Sequence, residues 1–193
     1  MELILASRSP RRQELLRAIR VSFRVEVADV DEEWHRDEDP IAYVERVARS
    51  KAETVADRLG LPAGTVILAA DTTVDVDGEI FAKPIDDDDA RRMLRRMSRR
   101  THRVHTAVFC WTADAVHATT VTTDVTFARL TDELVEWYVA TGEHIDKAGA
   151  YGMQGAAGAL VARIDGSPSN VIGLPLAETV GVLRHCGLVL VST

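Results

Sequence analysis

A chain of 193 residues with 46% apolar content can bury one sizeable core or two small lobes. Its formal charge of −7 argues against a non-specific nucleic-acid or membrane-surface binder, so any phosphate site must be a local basic pocket in an acidic molecule. Cys110 and Cys186 sit in apolar segments without CxxC spacing, which predicts free, buried, reduced thiols. No run approaches the roughly 20 apolar residues of a membrane helix, and the polar N-terminus does not read as a signal peptide, so a soluble, cytoplasmic protein is expected.

Leu3-Ile4-Leu5-Ala6 reads as a buried strand, followed by Ser7-Arg8-Ser9-Pro10-Arg11-Arg12. Ser9 suits a helix cap and Pro10 the first helical position, where a missing N–H costs nothing. Arg11 and Arg12 then fall in the first turn, where the helix dipole disfavours cations. Either an anion such as phosphate answers them, or local acids such as Glu14 do. Phe23–Val27 alternates like a strand with one wet face, and an acidic loop runs from Asp29 to Asp39. Pro40 opens a helix to about Leu59, with Ile41, Val44, Ala48 and Val55 on one face and Gly60 as its stop. Lys51 lies within that apolar stripe, either as a functional cation or as a snorkelling stem.

Thr65–Ala70 is the most strand-like segment and is expected to end at Asp71-Thr72-Thr73. Asp77-Gly78 between Val74–Val76 and Glu79–Phe81 predicts a hairpin with a type I′ turn. Asp75-Val76-Asp77-Gly78 also resembles a DxDG phosphatase loop, but the hairpin signals around it oppose that reading. A helix is predicted over 86–97, β-rich stretches over 102–112 and 115–128, and a helix over 132–141 capped by Thr131 and closed by Gly142. A glycine-rich loop at 149–158, a strand at 159–164, a helix at 175–186 and a strand at 187–191 complete the chain. Hairpins among the alternating elements predict an α/β fold with a mixed central sheet and flanking helices.

Only three of the 23 basic residues are lysines, namely Lys51, Lys83 and Lys147. A lysine that survives such a bias marks a place where a compact ammonium is needed, or it is an accident of small numbers. Asp71 is the strongest single candidate for catalysis, because a carboxylate at a strand end in an α/β sheet suits a metal ligand or general base. Its alternative role is to cap a turn through Thr72 and Thr73. In Asp146-Lys147-Ala148-Gly149-Ala150-Tyr151-Gly152-Met153-Gln154-Gly155 the glycines allow close backbone approach, and Gln154 can present both a donor and an acceptor to a base edge.

Taken together, Ser7–Arg12, Ala70-Asp71-Thr72, Ala82-Lys83-Pro84, Ser98–His102 with Val104 and Thr106, Asp146–Gly155, and Asn170–Leu176 occur in the order seen in the Maf family, which this chain resembles over essentially its whole length. The resemblance implies one domain over 1–193 with two lobes around a cleft, as in inosine triphosphatases. It implies hydrolysis of a nucleoside triphosphate to the monophosphate and pyrophosphate with a divalent metal, Mg²⁺ or Mn²⁺, and often a homodimer. The Lys147–Gly155 loop is similar to that of the branch that prefers dTTP and UTP. By the same resemblance Asp71, Glu32 and Lys83 are catalytic, with Asp71 and Glu32 holding the metal. Ser7, Arg11, Arg12, Lys51, Thr72, Lys147 and Gln154 bind substrate, Arg11, Thr72 and Gln154 among them matching positions linked to substrate choice. The chain departs from the family at Ser98-Arg99-Arg100, where the pattern has Ser-Gly. A non-catalytic nucleotide-binding regulator of cell division, a phosphatase releasing phosphate stepwise, and a preference for CTP or modified nucleotides stay open as alternatives.

Overall fold

A computed structural model describes residues 1–35 and 38–189. Strand β1 (Glu2–Leu5) is buried from Leu3 onward and leads through the serine turn into α1 (Pro10–Ala18), with Ser9 Oγ accepting the Arg12 N–H as cap. The expected strand at 23–27 shortens to β2 (Arg24–Val25), which pairs parallel to β1. Helix α2 (Pro40–Leu59) is capped by Asp39 and ends at Gly60 in the left-handed region, φ 68°, which costs glycine little. Val44, Ala48, Lys51, Ala52 and Val55 form its buried stripe, whereas Ile41, expected on that face, is exposed in the first turn.

Strand β3 (Thr65–Val76) corrects the sequence reading. It does not end at Asp71 but runs through it into the hairpin with β4 (Glu79–Phe81), whose turn has Asp77 at φ 57° and Gly78 at φ 86°, as a type I′ turn requires. The β-branched residues Thr72, Thr73, Val74 and Val76 favour continued extension over a turn at Asp71. Then follow α3 (Asp87–Met97), β5 (Thr101–Trp111), β6 (Val116–Phe127) and α4 (Asp132–Ala140). Two short 3₁₀ turns, Ala148–Ala150 and Ala156–Leu160, occupy the glycine-rich loop, so the next strand, β7 (Val161–Asp165), starts two residues later than expected. A one-turn helix, α5 (Pro168–Ile172), precedes α6 (Leu176–His185). Beyond α6 the expected strand at 187–191 is not formed at 187–189, and 190–191 lie outside the described residues.

The seven described strands make one sheet in the order β2-β1-β3-β5-β6-β7, with β4 alongside β3. β2, β1 and β3 are parallel and the remaining pairs antiparallel. Side chains alternate along β3. Ile67 and Ala69 face α2, while Val66, Leu68 and Ala70 join Leu16 of α1 and Leu183 of α6 on the other face. Farther along, Val74, Val76 and Phe81 pack with Leu94, Met97, Phe127 and Tyr138 in a second core region. Cys110 of β5 and Cys186 at the end of α6 are buried free thiols with sulfurs 2.7 Å apart. Burial pushes the Cys110 thiol well above its usual range.

Candidate active site

One edge of β3 is left open between its two partners. β1 pairs with Thr65–Leu68 and β4 with Val74–Val76, while β5 occupies the opposite edge over Ile67–Asp75. Among the described residues no strand covers the first edge from Ala69 to Thr73, and a cleft of about 940 Å³ opens there, between the two core regions. Asp71 and Thr72 sit in this gap, and strand alternation sends their side chains to opposite faces of the sheet.

On the α2 face, Lys51 Nζ lies 2.7 Å from Asp71 Oδ1 and 2.7 Å from Glu32 Oε1. Lys51 is thus an ion-pairing lysine rather than a snorkelling one. The two carboxylate oxygens can be no farther apart than twice that distance. Tyr43 of α2 donates from its hydroxyl to the Glu32 carbonyl at 2.9 Å and so holds the acidic loop over the gap. Burial raises the Asp71 carboxyl above its usual range, opposed by the charges of Lys51 and Arg12 and by the Lys51 hydrogen bond. Burial also works on Glu32. There the hydrogen bond from Lys51, then the charges of Lys51, Lys83 and Arg12, outweigh it and hold the carboxyl below its usual range. The two carboxylates of the site are thus shifted in opposite directions, Asp71 up and Glu32 down.

On the other face, Arg12 is buried and committed to protein groups. Its Nε donates to the Gly173 carbonyl at 2.7 Å, Nη1 to Ser7 Oγ at 3.2 Å and Nη2 to Thr72 Oγ1 at 3.0 Å. None of these acceptors carries charge, so the positive charge of Arg12 remains uncompensated at contact distance and is felt by Asp71 and Glu32. Arg11, one residue earlier, makes no hydrogen bond or ion pair among the described residues, and neither does the exposed Lys83. These two cations at the cleft are available to an anionic guest. The first-turn arginines thus divide. One organises the site and the other faces it.

The glycine loop closes the cleft from the second core region. Lys147 donates to the Glu143 carbonyl, and burial together with the Arg11 charge lowers its ammonium, against the pull of Glu143 and Asp146. The Glu143 carboxylate accepts the Ala156 N–H at 2.8 Å and fills the space beside Gly155, where a Cβ would lie 2.0 Å from Glu143 Oε2. The preceding residue, Gln154, lines the cleft.

The family model described as "Maf-like protein" matches residues 2–186. The chain belongs to the Maf-like protein family. Relatives are 50% identical over 190 residues in Anaeromyxobacter dehalogenans, covering 96% of this chain and 94% of that one. In Methylobacillus flagellatus the figures are 49%, 98% and 94%, and in Myxococcus xanthus 48%, 96% and 93%. All three bear the name dTTP/UTP pyrophosphatase. Among solved structures, this Maf-like chain is similar to a nucleoside-triphosphatase / dITP/XTP pyrophosphatase from Mycobacterium abscessus, with 18% identity, TM-score 0.49, and coverage of 98% of this chain and 100% of that one. Its similarity to the Staphylococcus aureus Ham1 protein gives 17%, 0.49, 66% and 72%.

Every residue expected at the site from sequence lines this one cleft of the Maf-like fold: Ser7, Arg11, Arg12, Glu32, Lys51, Asp71, Thr72, Lys83, Lys147 and Gln154. Sequence reasoning did not assign roles to Tyr43, Glu143, Thr106 or Asn170. Tyr43 and Glu143 carried no local signal. Thr106 and Asn170 lay within recognised motifs, but their partners are distant in sequence. Arg99, where the family pattern has glycine, adopts a left-handed conformation at φ 58°.

Proposed function

We propose that this Maf-like protein hydrolyses nucleoside triphosphates, dTTP and UTP foremost, to the monophosphate and pyrophosphate. The observation that carries the reading is Lys51 joining Asp71 and Glu32 at the open edge of β3, in a cleft that also holds Arg11, Arg12 and Lys83. The names of the relatives in Anaeromyxobacter, Myxococcus and Methylobacillus support the same substrates.

In this mechanism Asp71 accepts a hydrogen bond from the attacking water and takes its proton as the oxygen bonds to the α-phosphorus and the bond to the bridging oxygen breaks. Lys51 holds the two carboxylates together and offsets their mutual repulsion. Arg11 and Lys83 meet the triphosphate and the charge that grows on the leaving pyrophosphate. Two carboxylates beside a phosphate-binding cleft fit Mg²⁺ or Mn²⁺, which commonly take one or two carboxylates and complete their shell with phosphate oxygens and water. Asp71 and Glu32 would hold the ion, which when bound polarises the phosphoryl group and acidifies water. No group of three or more metal-ligating side chains occurs among the described residues.

Gln154, which lines the cleft, would meet the imide edge of uracil or thymine with both its oxygen and its nitrogen. Residues 1–193 act as one unit in this reading, in the cytoplasm and as a homodimer, with no nucleic-acid or membrane partner. No helix among the described residues is long and apolar enough to cross a membrane. A panel of nucleoside triphosphates with product analysis tests the function. UMP and dTMP with pyrophosphate in equal amounts are expected, at higher kcat/KM than for CTP and well above purine triphosphates. Orthophosphate as the first product, or binding without turnover, would replace this reading by the stepwise phosphatase or the regulator.

A further inference from the structure

Strand β6 is covered on its outer edge for only part of its length. Its register with β5 is unbroken from Val116 to Thr126. The bonds at the two ends of that ladder fix its phase. Thr112 N–H donates to the Ala115 carbonyl at 2.9 Å, and Phe127 N–H to the Arg100 carbonyl at 3.0 Å. In an antiparallel ladder the N–H and C=O of one residue point to the same edge, and successive residues alternate. The odd-numbered residues of β6 therefore bond to β5, and the even-numbered ones turn outward. Asp124 and Thr126 turn to β7, and Ala128 beyond them donates to the Leu160 carbonyl at 2.9 Å. Val116, Ala118, Thr120 and Thr122 point to the same edge, where among the described residues no strand pairs with them.

This open edge lacks the features that normally guard one. Natural edges are shortened, charged, or broken by proline and bulges, because an unpaired row of N–H and C=O groups is a template for another strand. The other outer strands of the sheet are guarded. β2 has two residues and includes Arg24, β4 has three and includes Glu79, and β7 has five and includes Arg163 and Asp165. From Val116 to Thr122 β6 contains no Asp, Glu, Lys, Arg, proline or glycine, and none of these residues is buried. The edge is also ordered in advance. Thr120 Oγ1 donates to Glu45 Oε1 at 2.6 Å, Thr122 Oγ1 lies 2.8 Å from His105 Nδ1, and His117 stacks on His185 of α6 with ring centroids 5.6 Å apart. For a chain of net charge −7, an uncharged edge is where a second copy meets least repulsion.

We infer that this edge is the interface of a symmetric dimer, in which β6 of one copy pairs antiparallel with β6 of a second and the two sheets become one. A twofold axis at Thr119 is the register that engages all four outward residues. Val116 then faces the partner's Thr122 and Ala118 the partner's Thr120, each such pair exchanging two hydrogen bonds. In that register β7, which covers β6 only from Asp124 onward, lies past the end of the partner's strand and leaves it room. The inference rests on the homodimer part of the proposed function and deepens it, and it is independent of the hydrolysis.

Sedimentation velocity on wild type from about 1 to about 200 µM, the range suited to a small interface, is expected to show a monomer–dimer equilibrium. Ala118→Pro removes an outward N–H and puts a ring at the edge, a position where a strand itself tolerates proline. It is expected to weaken the dimer at least about tenfold and to melt like wild type. Cross-linking reads the register. At the axis the Cα atoms of a non-hydrogen-bonded pair lie about 4.5 Å apart, within reach of a disulfide, so Thr119→Cys should give a covalent dimer with oxidised glutathione. Val116→Cys is exposed on the same edge but lies roughly 20 Å from its own counterpart and should not. The native thiols, Cys110 and Cys186, are buried. A wild type that stays monomeric throughout overturns the inference and leaves the edge to a strand from a different partner. A dimer that survives Ala118→Pro overturns it too, as does Thr119→Cys cross-linking no faster than Val116→Cys. Should Ala118→Pro not fold, the two cysteine variants decide the matter alone. Pyrophosphate release is scored separately, and a wild-type dimer that releases none overturns the proposed hydrolysis while the interface stands.

Discussion

Lys51 and Lys83 share a cleft but differ in what they touch, and this separates their expected phenotypes. Lys51 is buried between Asp71 and Glu32, so Lys51→Met strands a buried carboxylate and should cost about 3 kcal/mol of stability as well as activity, seen as a lowered melt. Lys83 is exposed and makes no ion pair or hydrogen bond among the described residues. Lys83→Ala should therefore melt like wild type and raise the KM for UTP roughly tenfold, the scale of one charge-assisted hydrogen bond. A KM that does not move would take Lys83 off the substrate. Arg58, paired with Glu26 on the surface, is the control whose removal should do neither. For Asp71→Asn, which keeps the shape but cannot take a proton from water, at least about a hundredfold loss of kcat is expected with an unchanged melt. Near-normal turnover would remove Asp71 from the chemistry.

At the level of elements, the second core region carries its own pH dependence. His102 of β5 is buried against the edges of Phe127 and Tyr151, with its Nε2 2.8 Å from the Tyr151 hydroxyl. Burial lowers its pKa to about 4, with only the charge of Asp75 opposing. Unfolded histidine titrates near 6.5. The neutral buried ring thus contributes stability that is full above that value and is lost as pH falls towards about 4, because only the unfolded chain gains the proton in that window. Denaturant melts at pH 7 and pH 5 should differ by about 2 kcal/mol from this group, and His102→Leu should remove that difference. An equal acid loss in the variant would place the pH dependence elsewhere. The turn that leads into β5 is also informative. Arg99, where the family pattern has glycine, holds a left-handed conformation, which costs a residue with a Cβ about 1 kcal/mol.

For the molecule as a whole, contacts between protein groups hold the cleft together. Arg12 ties α1 to Thr72 of β3 and to the Gly173 carbonyl between α5 and α6, and Lys51 already offsets Asp71 and Glu32. Chelation is therefore expected to stop UTP hydrolysis while shifting the thermal melt by less than about 2 °C, with activity returning on addition of Mg²⁺ or Mn²⁺. A large drop in the melt on chelation would mean that the ion, and not Lys51, balances the carboxylates in the resting protein.

Much of the molecule was legible in the chain itself. Ser9-Pro10 and Pro40 announce helix starts, Gly60 a stop, and Asp77-Gly78 a hairpin, because each depends on local backbone chemistry, and all four form as expected. Ser167-Pro168 carries the same cap signal and marks α5. The lysine bias and the ordered motifs also brought every expected site residue to one cleft. Other features are not local. That Asp71 lies within a strand and not at its end depends on β5 pairing continuously from Ile67 to Asp75 while β1 stops at Leu68, and strand pairing is a contact between distant segments. The division of labour between Arg11 and Arg12 has the same origin. Adjacent residues on a helix point about 100° apart, and only the packed α5–α6 junction supplies the carbonyl that claims one guanidinium and leaves the other at the cleft.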